Sequence, residues 1–247
     1  MNLPFDLQTF VIAAVVTFGA YVIFGVTAFG AALFTTSVLS HFFALEFVLP
    51  LCVLLDVLAS LALGRRFSRD ADLTELKWMA PFSLVGAVLG VTLLVILPRN
   101  ATLTAFGVLL VMYAIYALRE GETAATLSRR WGPLSGFIGG AIGTLFGVGA
   151  PPYAVYLSRR FTDKAVLRAT LSNMVLLSTS IRLAVFIVGG FMQWRCVVGF
   201  VVLAPFMFAG LWLGNRVHGL VSRAQVSKLV SVLLMLIGVS LLVRAAG

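Results

Sequence analysis

Long apolar runs, separated by short polar stretches, set the pattern of this chain. Residues 7–40 contain no Asp, Glu, Lys or Arg; this stretch is too long for one membrane span and is punctuated by Gly25 and Gly30. A spanning helix needs about 20 apolar residues, and lipid offers no water to backbone groups that are left unpaired. The pattern therefore predicts an all-α polytopic membrane protein with about eight membrane segments. Seven further apolar runs complete the set: 45–64, 78–98, 100–118, 131–158, 169–190, 196–215 and 229–243.

Composition favours a membrane protein and excludes most soluble classes. Hydrophobic residues make up 61% of the 247 residues and charged residues 11%, whereas soluble domains have roughly 25% charged residues. The net charge of +9 does not indicate nucleic-acid binding, because most basic residues lie in short loops, as the positive-inside rule requires. We expect a multi-pass protein of the cytoplasmic membrane, in contact with the lipid bilayer.

The sequence offers little for catalysis or cofactor binding. Cys52 and Cys196 both lie in apolar runs, outside any Cys/His cluster, so no metal site is indicated. The phosphate-binding pattern G-x-x-x-x-G-K-[ST] is absent from the sequence. We therefore expect neither a cofactor nor an enzyme activity.

The two halves of the chain resemble each other. The motif TAFG that ends at Gly30 matches TLFG that ends at Gly147, a shift of 117 positions. The segment PFSLVGAVLG at 81–90 matches PFMFAGLWLG at 205–214, and both contain a G-x-x-x-G pattern. These matches predict three parts: an N-terminal repeat at 1–118, a cytoplasmic linker at 119–130 and a C-terminal repeat at 131–247.

Basic residues predict how the second half enters the membrane. Both flanks of the run 131–158 are basic, and its length suits two half-helices of roughly 20 Å each. We expect this run to enter the membrane and return, with both flanks cytoplasmic. Corresponding loops of the two halves then lie on opposite sides, because four basic residues follow the second run but only Arg195 follows the sixth. Such inverted repeats, with broken or re-entrant helices in each half, are typical of secondary transporters.

Several motifs resemble those of a known family. The segment GAIGTLFGVGAPP at 140–152 is followed by ATLSN at 169–173, and GVTAFG at 25–30 is the first-half counterpart. These stretches, in this order, resemble the signatures of the TauE/SafE family of anion exporters. Ala28 and Ala150 stand where that family usually has glycine. The resemblance implies transport of sulfite, sulfonates or related sulfur or organic anions.

Glycine and proline clusters are the first candidates for a substrate site: Gly25 and Gly30 in the first half, and Gly147, Gly149 and Pro151 in the second. Glycine permits a positive φ and proline removes a hydrogen-bond donor, so both clusters are expected to break a helix. The N-terminus of a half-helix then presents free N–H groups and a positive dipole to a small anion. Close packing of helices by small residues is the alternative.

Three polar residues inside apolar runs are further candidates. A charge within a membrane segment is a functional hypothesis by default, and the guanidinium of Arg182 offers two-point contact to an oxyanion. A structural ion pair or snorkelling of Arg182 stays open. Asp56 would carry a coupling proton or neutralise Arg182. Asn173, which aligns with Asp56 in the repeat, would donate its amide to the substrate or to a neighbouring helix.

Taken together, these features predict a secondary transporter that moves a small anion across the cytoplasmic membrane by alternating access, with proton coupling as an option. An anion channel without coupling is the alternative. Assembly into a homo-oligomer is left open by the sequence.

Overall fold

The computed structural model describes residues 6–27, 30–64, 71–119, 127–217, 232 and 235–243. Within these ranges the regular elements are helical, and a 3-10 turn at Arg129–Trp131 leads into the second half. Residues 235–243 are also helical. The α-helices are α1 (Leu7–Thr27), α2 (Ala31–Leu39), α3 (Leu45–Gly64), α4 (Leu73–Ile96), α5 (Arg99–Arg119), α6 (Gly132–Phe146), α7 (Ala150–Arg160), α8 (Lys164–Val188) and α9 (Trp194–Val217).

Five of the described helices, α1, α3, α4, α8 and α9, are long and apolar enough to cross a membrane. The apolar stretch of α5 is shorter, Asn100–Ile115. Helices α2, α6 and α7 have 9, 15 and 11 residues, too few to span a hydrocarbon core of about 30 Å at 1.5 Å per residue. The expected all-helical membrane fold is confirmed.

The expected count of eight segments stays a prediction. The run 7–40 forms two helices, α1 and α2, and the run 131–158 also forms two, α6 and α7. The beginning of the last run, 229–243, and most of the predicted linker, 119–130, lie outside the described residues.

Helix α4 begins five residues before the run that predicted it. Its start is fixed by Asp72, whose carboxylate accepts hydrogen bonds from the backbone N–H groups of Thr74 at 2.8 Å and Glu75 at 3.2 Å. This is N-capping, which supplies partners to the orphan donors of the first turn. Asp163 caps α8 in the same way. The early start brings Glu75 into a membrane helix, where its side chain is buried.

Helices α6 and α7 form an antiparallel hairpin. The N–H of Leu127, just before the hairpin, donates to the carbonyl oxygen of Arg159 at its end, over 3.1 Å. The hydroxyl of Ser135 donates to the carbonyl oxygen of Pro152 at 2.9 Å. Both flanks of the run 131–158 therefore meet at one end of the hairpin, which is the geometry that a re-entrant segment requires.

Glycines of α4 and α9 hold the two halves together reciprocally. In α4, Gly86 and Gly90 lie against the backbone of α6, and a Cβ added at Gly90 would stand 2.6 Å from the carbonyl oxygen of Ala141. In α9, Gly210 and Gly214 lie against the backbone of α1. The matched G-x-x-x-G pattern of each half thus packs on the broken helix of the other half, because only small residues allow backbones to approach so closely.

Candidate functional site

The breaks between α1 and α2 and between α6 and α7 face one small cavity. Gly30 has a φ of 94° and Gly147 a φ of 80°, in the left-handed region that glycine adopts without steric cost. Gly30, Gly147 and Pro151 line a cavity of about 40 Å³. One water needs roughly 10–15 Å³ on this measure, so the cavity has room for a few waters or one small oxyanion. Ala28 lies outside the described residues.

The cavity is lined by the N-terminal residues of both short helices. The first N–H groups of a helix have no partner within it, and the helix dipole makes this end positive. Helix α2 contributes Ala31, Ala32 and Leu33, each with an N–H group. Helix α7 contributes Ala150 and Pro151, and proline has no N–H to offer. Two positive helix ends at one cavity favour a small anion, and α2 supplies more of the donors.

Asp56 lines the same cavity from α3, and only 7% of its surface is exposed. The hydroxyl of Tyr21 on α1 donates to its carboxylate at 2.8 Å. One turn earlier on α3, the thiol of Cys52 accepts a hydrogen bond from Thr36 at 3.7 Å. The sequence analysis did not identify Tyr21. Its only signal in the sequence is a polar hydroxyl within a helix that has no charged residue. A carboxylate at this position repels a bound anion when it is charged and does not when it is protonated.

Arg182 is buried on α8, beside the second break, with 4% of its surface exposed. Its Cδ lies 3.5 Å from the place that a Cβ on Gly143 would occupy. Its Nε and Nη2 atoms have no hydrogen-bond partner. Arg182 interacts electrostatically with Asp56, but both ion pairs among the described residues belong to Glu75. Burying unpaired donors on a cation is costly, and an anion bound at the break would supply the missing acceptors.

Besides Arg182, three other predicted site residues do not line the cavity. Gly25 lies inside α1, where an added Cβ would stand 2.9 Å from the backbone of Gly214. Gly149 packs against the backbone of α6. The amide of Asn173 donates to the carbonyl oxygen of Ala169, one turn earlier in its own helix, at 2.9 Å. Helix packing and a local hydrogen bond account for these three positions, and their part in substrate binding stays a prediction.

A buried hydroxyl cluster joins three helices near Arg182. The hydroxyl of Tyr153 on α7 hydrogen-bonds to Ser83 of α4 at 2.9 Å and to Ser178 of α8 at 2.8 Å. All three side chains are buried. Because single hydroxyls are common in apolar helices, the sequence carried no signal that would have grouped them. The cluster ties α7 to the two long helices α4 and α8.

A second cluster, centred on Glu75, lies where the ends of the hairpin meet α4. Tyr156 donates its hydroxyl to the carboxylate at 2.8 Å, and the Nε of Arg160 donates to it at 3.1 Å. The Nε of Arg129 lies 3.5 Å away. One carboxylate thus holds both ends of the hairpin. The signal that sequence reasoning missed was Asp72-Leu-Thr-Glu75, a spacing close to that of a capping box.

Comparison with known proteins fits this architecture. The sequence profile of the sulfite exporter TauE/SafE family matches residues 12–241. The chain belongs to the TauE/SafE family. It is also similar to a protein from Comamonas testosteroni described as "Probable inner membrane transporter protein TsaS", with 28% identity over 199 residues that cover 77% of this chain and 81% of that protein. No solved structure matches the chain significantly.

The family match confirms the resemblance that the glycine and proline motifs predicted. Together with the five apolar helices, it identifies a multi-pass protein of the cytoplasmic membrane. The protein is a membrane transporter rather than an enzyme.

Proposed function

We propose that this protein is a secondary transporter of a small sulfur-containing or organic anion, such as sulfite or a sulfonate. The observation that carries the proposal is the cavity between the two breaks, which the N-terminal ends of α2 and α7 both line. Arg182 beside the second break supports it, because its side chain is buried and two of its nitrogens, Nε and Nη2, have no hydrogen-bond partner. Helix dipoles and the guanidinium of Arg182 together stabilise the negative charge of an oxyanion.

The reciprocal packing of the halves supports an inverted-repeat mechanism. The helix that precedes each break packs closely against a glycine-containing helix of the other half. Helix α1 packs against α9, and α6 packs against α4. A transporter built this way alternates access by moving one pair against the other around a central site. With the basic ends of the hairpin in the cytoplasm, as the positive-inside rule favours, the hairpin is re-entrant and the two repeats are inverted.

Asp56 is the group proposed to couple transport to protons. It lines the cavity and accepts a hydrogen bond from Tyr21 of α1. Arg182 of α8 interacts with it electrostatically, and the neutral thiol of Cys52 lies one turn earlier on α3. Because a charged carboxylate repels the anion, binding of the anion favours protonation of Asp56, and the two are carried together. The affinity for the anion is therefore expected to fall as the pH rises, because Asp56 is then charged.

The decisive experiment is tracer flux in liposomes that contain the purified protein. We expect uptake of radiolabelled sulfite, competition by small sulfonates, and acceleration by a pH gradient at fixed membrane potential. A cation tracer of similar size serves as the negative control. Absence of flux and competition with every anion tested contradicts the proposal.

The alternative, an uncoupled anion channel, shares the same cavity and differs in how flux responds to driving forces. A channel passes anion according to voltage and its own gradient, and a pH gradient at zero voltage does not accelerate it. Accumulation of tracer against its electrochemical gradient, driven by protons alone, decides for the coupled transporter.

Topology is tested by labelling single cysteines with a membrane-impermeant reagent. Ser128 and Ser158 flank the hairpin, Gln193 lies between α8 and α9, and all three are exposed. In a background without Cys52 and Cys196, we expect cysteines at positions 128 and 158 to react from the cytoplasmic side and a cysteine at position 193 to react from outside. Labelling of the hairpin flanks from opposite sides contradicts the re-entrant hairpin.

A further inference from the structure

An open apolar groove runs along the hairpin between α5, α6 and α7. Its volume is about 420 Å³, and its walls are almost entirely apolar. Along α6 it is lined by Leu134, Ile138 and Ile142, which lie one turn apart, so the groove extends roughly 12 Å along that helix. Leu134 and Met112 of α5 are exposed where it opens. In a chain that spans a membrane, exposed apolar side chains of this kind contact lipid tails, which are as apolar as leucine.

One end of the groove lies where the two flanks of the hairpin meet. Trp131, which is half exposed, and Val155 line the groove there. Arg130 precedes Trp131 in the turn that leads into α6, and Arg159 follows Val155 by one turn on the same face of α7. Because tryptophan is typical of the headgroup region of a bilayer, the groove reaches the membrane surface beside two arginines.

The four arginines at this end of the hairpin fall into two pairs. The Nε atoms of Arg129 and Arg160 lie 3.5 and 3.1 Å from a carboxylate oxygen of Glu75. Arg130 and Arg159, in contrast, form no ion pair with a carboxylate of the described residues. Arg130 is exposed and Arg159 is partly exposed. Their charges are therefore available to an anionic group at the membrane surface.

We propose that the groove binds an anionic phospholipid, with an acyl chain along α6 and the phosphate at Arg130 and Arg159. An acyl chain matches the apolar walls, and a guanidinium binds phosphate oxygens at two points. A zwitterionic lipid fits the walls equally well but leaves the charges of the two arginines unmatched, so these residues favour an anionic headgroup. The bound lipid contacts both arms of the hairpin and stabilises its position against α5. The site makes no use of the transported anion, so its test is independent of the proposed function.

The test is native mass spectrometry of the purified protein in detergent, titrated with phosphatidylglycerol or with phosphatidylcholine that carries the same acyl chains. Phosphatidylglycerol has a net negative charge and phosphatidylcholine has none. We expect phosphatidylglycerol to bind more tightly, by about fivefold for each of the two arginines, from about 1 kcal/mol per basic residue. Arg130→Gln and Arg159→Gln should therefore each lower this preference about fivefold, and the double variant should lose most of it.

Ile138→Trp tests the groove separately from the arginines. The added ring fills part of the groove, so both lipids should bind more weakly while the preference for phosphatidylglycerol persists. Val85→Trp is the matched control, because Val85 is an exposed position of α4 that does not line the groove. It should leave the affinities for both lipids unchanged.

Arg195→Gln is the control for the arginine variants, because Arg195 is exposed and lies at the start of α9, outside the hairpin and the groove. It should keep the full preference for phosphatidylglycerol. Equal affinity of the wild type for the two lipids, or a loss of preference in Arg195→Gln as large as in Arg130→Gln and Arg159→Gln, overturns the headgroup site. Affinities that do not change in Ile138→Trp overturn the groove as the site of the acyl chain.

Discussion

The two helix breaks face the same cavity but are built from different chemistry. At the first break, no atom of the described residues lies within 4 Å of the place that a Cβ on Gly30 would occupy, and the three residues that follow Gly30 all carry N–H groups. At the second break, Gly147 is confined, because an added Cβ would stand 2.8 Å from the hydroxyl oxygen of Thr36. Two prolines there, Pro151 and Pro152, replace residues that would have donated N–H groups.

In the proposed site, the two breaks carry different charges. The first break offers backbone dipoles, and α3 places the acidic Asp56 beside them. The second break offers fewer backbone donors, and α8 places the basic Arg182 beside it. The repeat mate of Asp56 is the uncharged Asn173. In the proposed repeat, both breaks have a glycine with a positive φ, whereas the charged residue beside the first break is acidic and the one beside the second is basic.

The largest expected effect is a difference in anion flux between variants of Gly30 and variants of Gly147. Asparagine tolerates the left-handed conformation better than other residues with a Cβ, so Gly30→Asn should retain much of the anion flux. Gly147→Asn should abolish it, because its Cβ meets Thr36. Tracer flux in proteoliposomes, with protein quantity and orientation matched, measures both.

The control for this pair is Gly190→Asn, since Gly190 also has a positive φ and open space but lies far along the chain from the breaks, between α8 and α9. It should behave as the wild type. Equal flux in Gly147→Asn and Gly30→Asn contradicts the view that the second break is the tighter of the two.

A smaller but substantial effect on anion affinity is expected when the guanidinium of Arg182 is replaced. Arg182→Lys keeps the charge but replaces a planar fork by a point charge. Loss of hydrogen bonds to a charged partner costs about 1.5–3 kcal/mol, so the half-saturation concentration for sulfite should rise roughly ten- to a hundredfold. The exposed Arg195, changed to Lys, is the matched control. An unchanged half-saturation concentration in Arg182→Lys removes Arg182 from the site and leaves the helix ends as the anion ligands.

The third effect concerns pH rather than maximal rate. In the wild type, the affinity for a sulfonate such as methanesulfonate should fall as the pH rises, by at most tenfold per pH unit for one coupled proton. Asp56→Asn, which cannot ionise, should bind the anion with an affinity that depends less on pH and should not respond to a pH gradient. Inhibition of tracer flux by methanesulfonate over a pH series provides the readout, because the charge of this sulfonate does not change near neutral pH. A full gradient response in Asp56→Asn assigns coupling to another group.

The smallest effect is expected at Asn173. Its amide is already used by the carbonyl oxygen of Ala169 in the same helix, so Asn173→Ala should change sulfite affinity less than twofold. Asn173→Asp sharpens the comparison, because it copies the acid of the first half into the second. A large loss of affinity in Asn173→Ala would bring back the direct role that the repeat alignment suggested.

Much of the fold was readable from the sequence for a simple physical reason. Lipid requires long apolar helices, so hydropathy located α3 at both of its ends and α9 to within two residues. Helix starts were less predictable where polar residues cap them. The runs placed the starts of α4 and α8 too late, because Asp72 and Asp163 extend these helices into charged stretches.

The candidate site was only partly predictable. The need for glycine at a helix break is local, because the positive φ is required by the turn in which the residue itself lies. Gly30 and Gly147 were correctly expected at the breaks. Gly25 looked the same in the sequence, yet it packs against α9. A glycine that allows two distant backbones to approach cannot be distinguished, from its neighbours in the sequence, from a glycine that a turn requires.

The sequence by itself determined that the chain is a membrane protein, that its helices break at two matched points, and which charges are carried into the apolar runs. Tertiary structure decided which of these features meet: the two helix ends and Asp56 at one cavity, Arg182 beside Gly143, Tyr21 on Asp56, and Glu75 at both ends of the hairpin. Hydropathy and backbone preference act over a few residues, whereas these meetings depend on how helices far apart in the chain pack together.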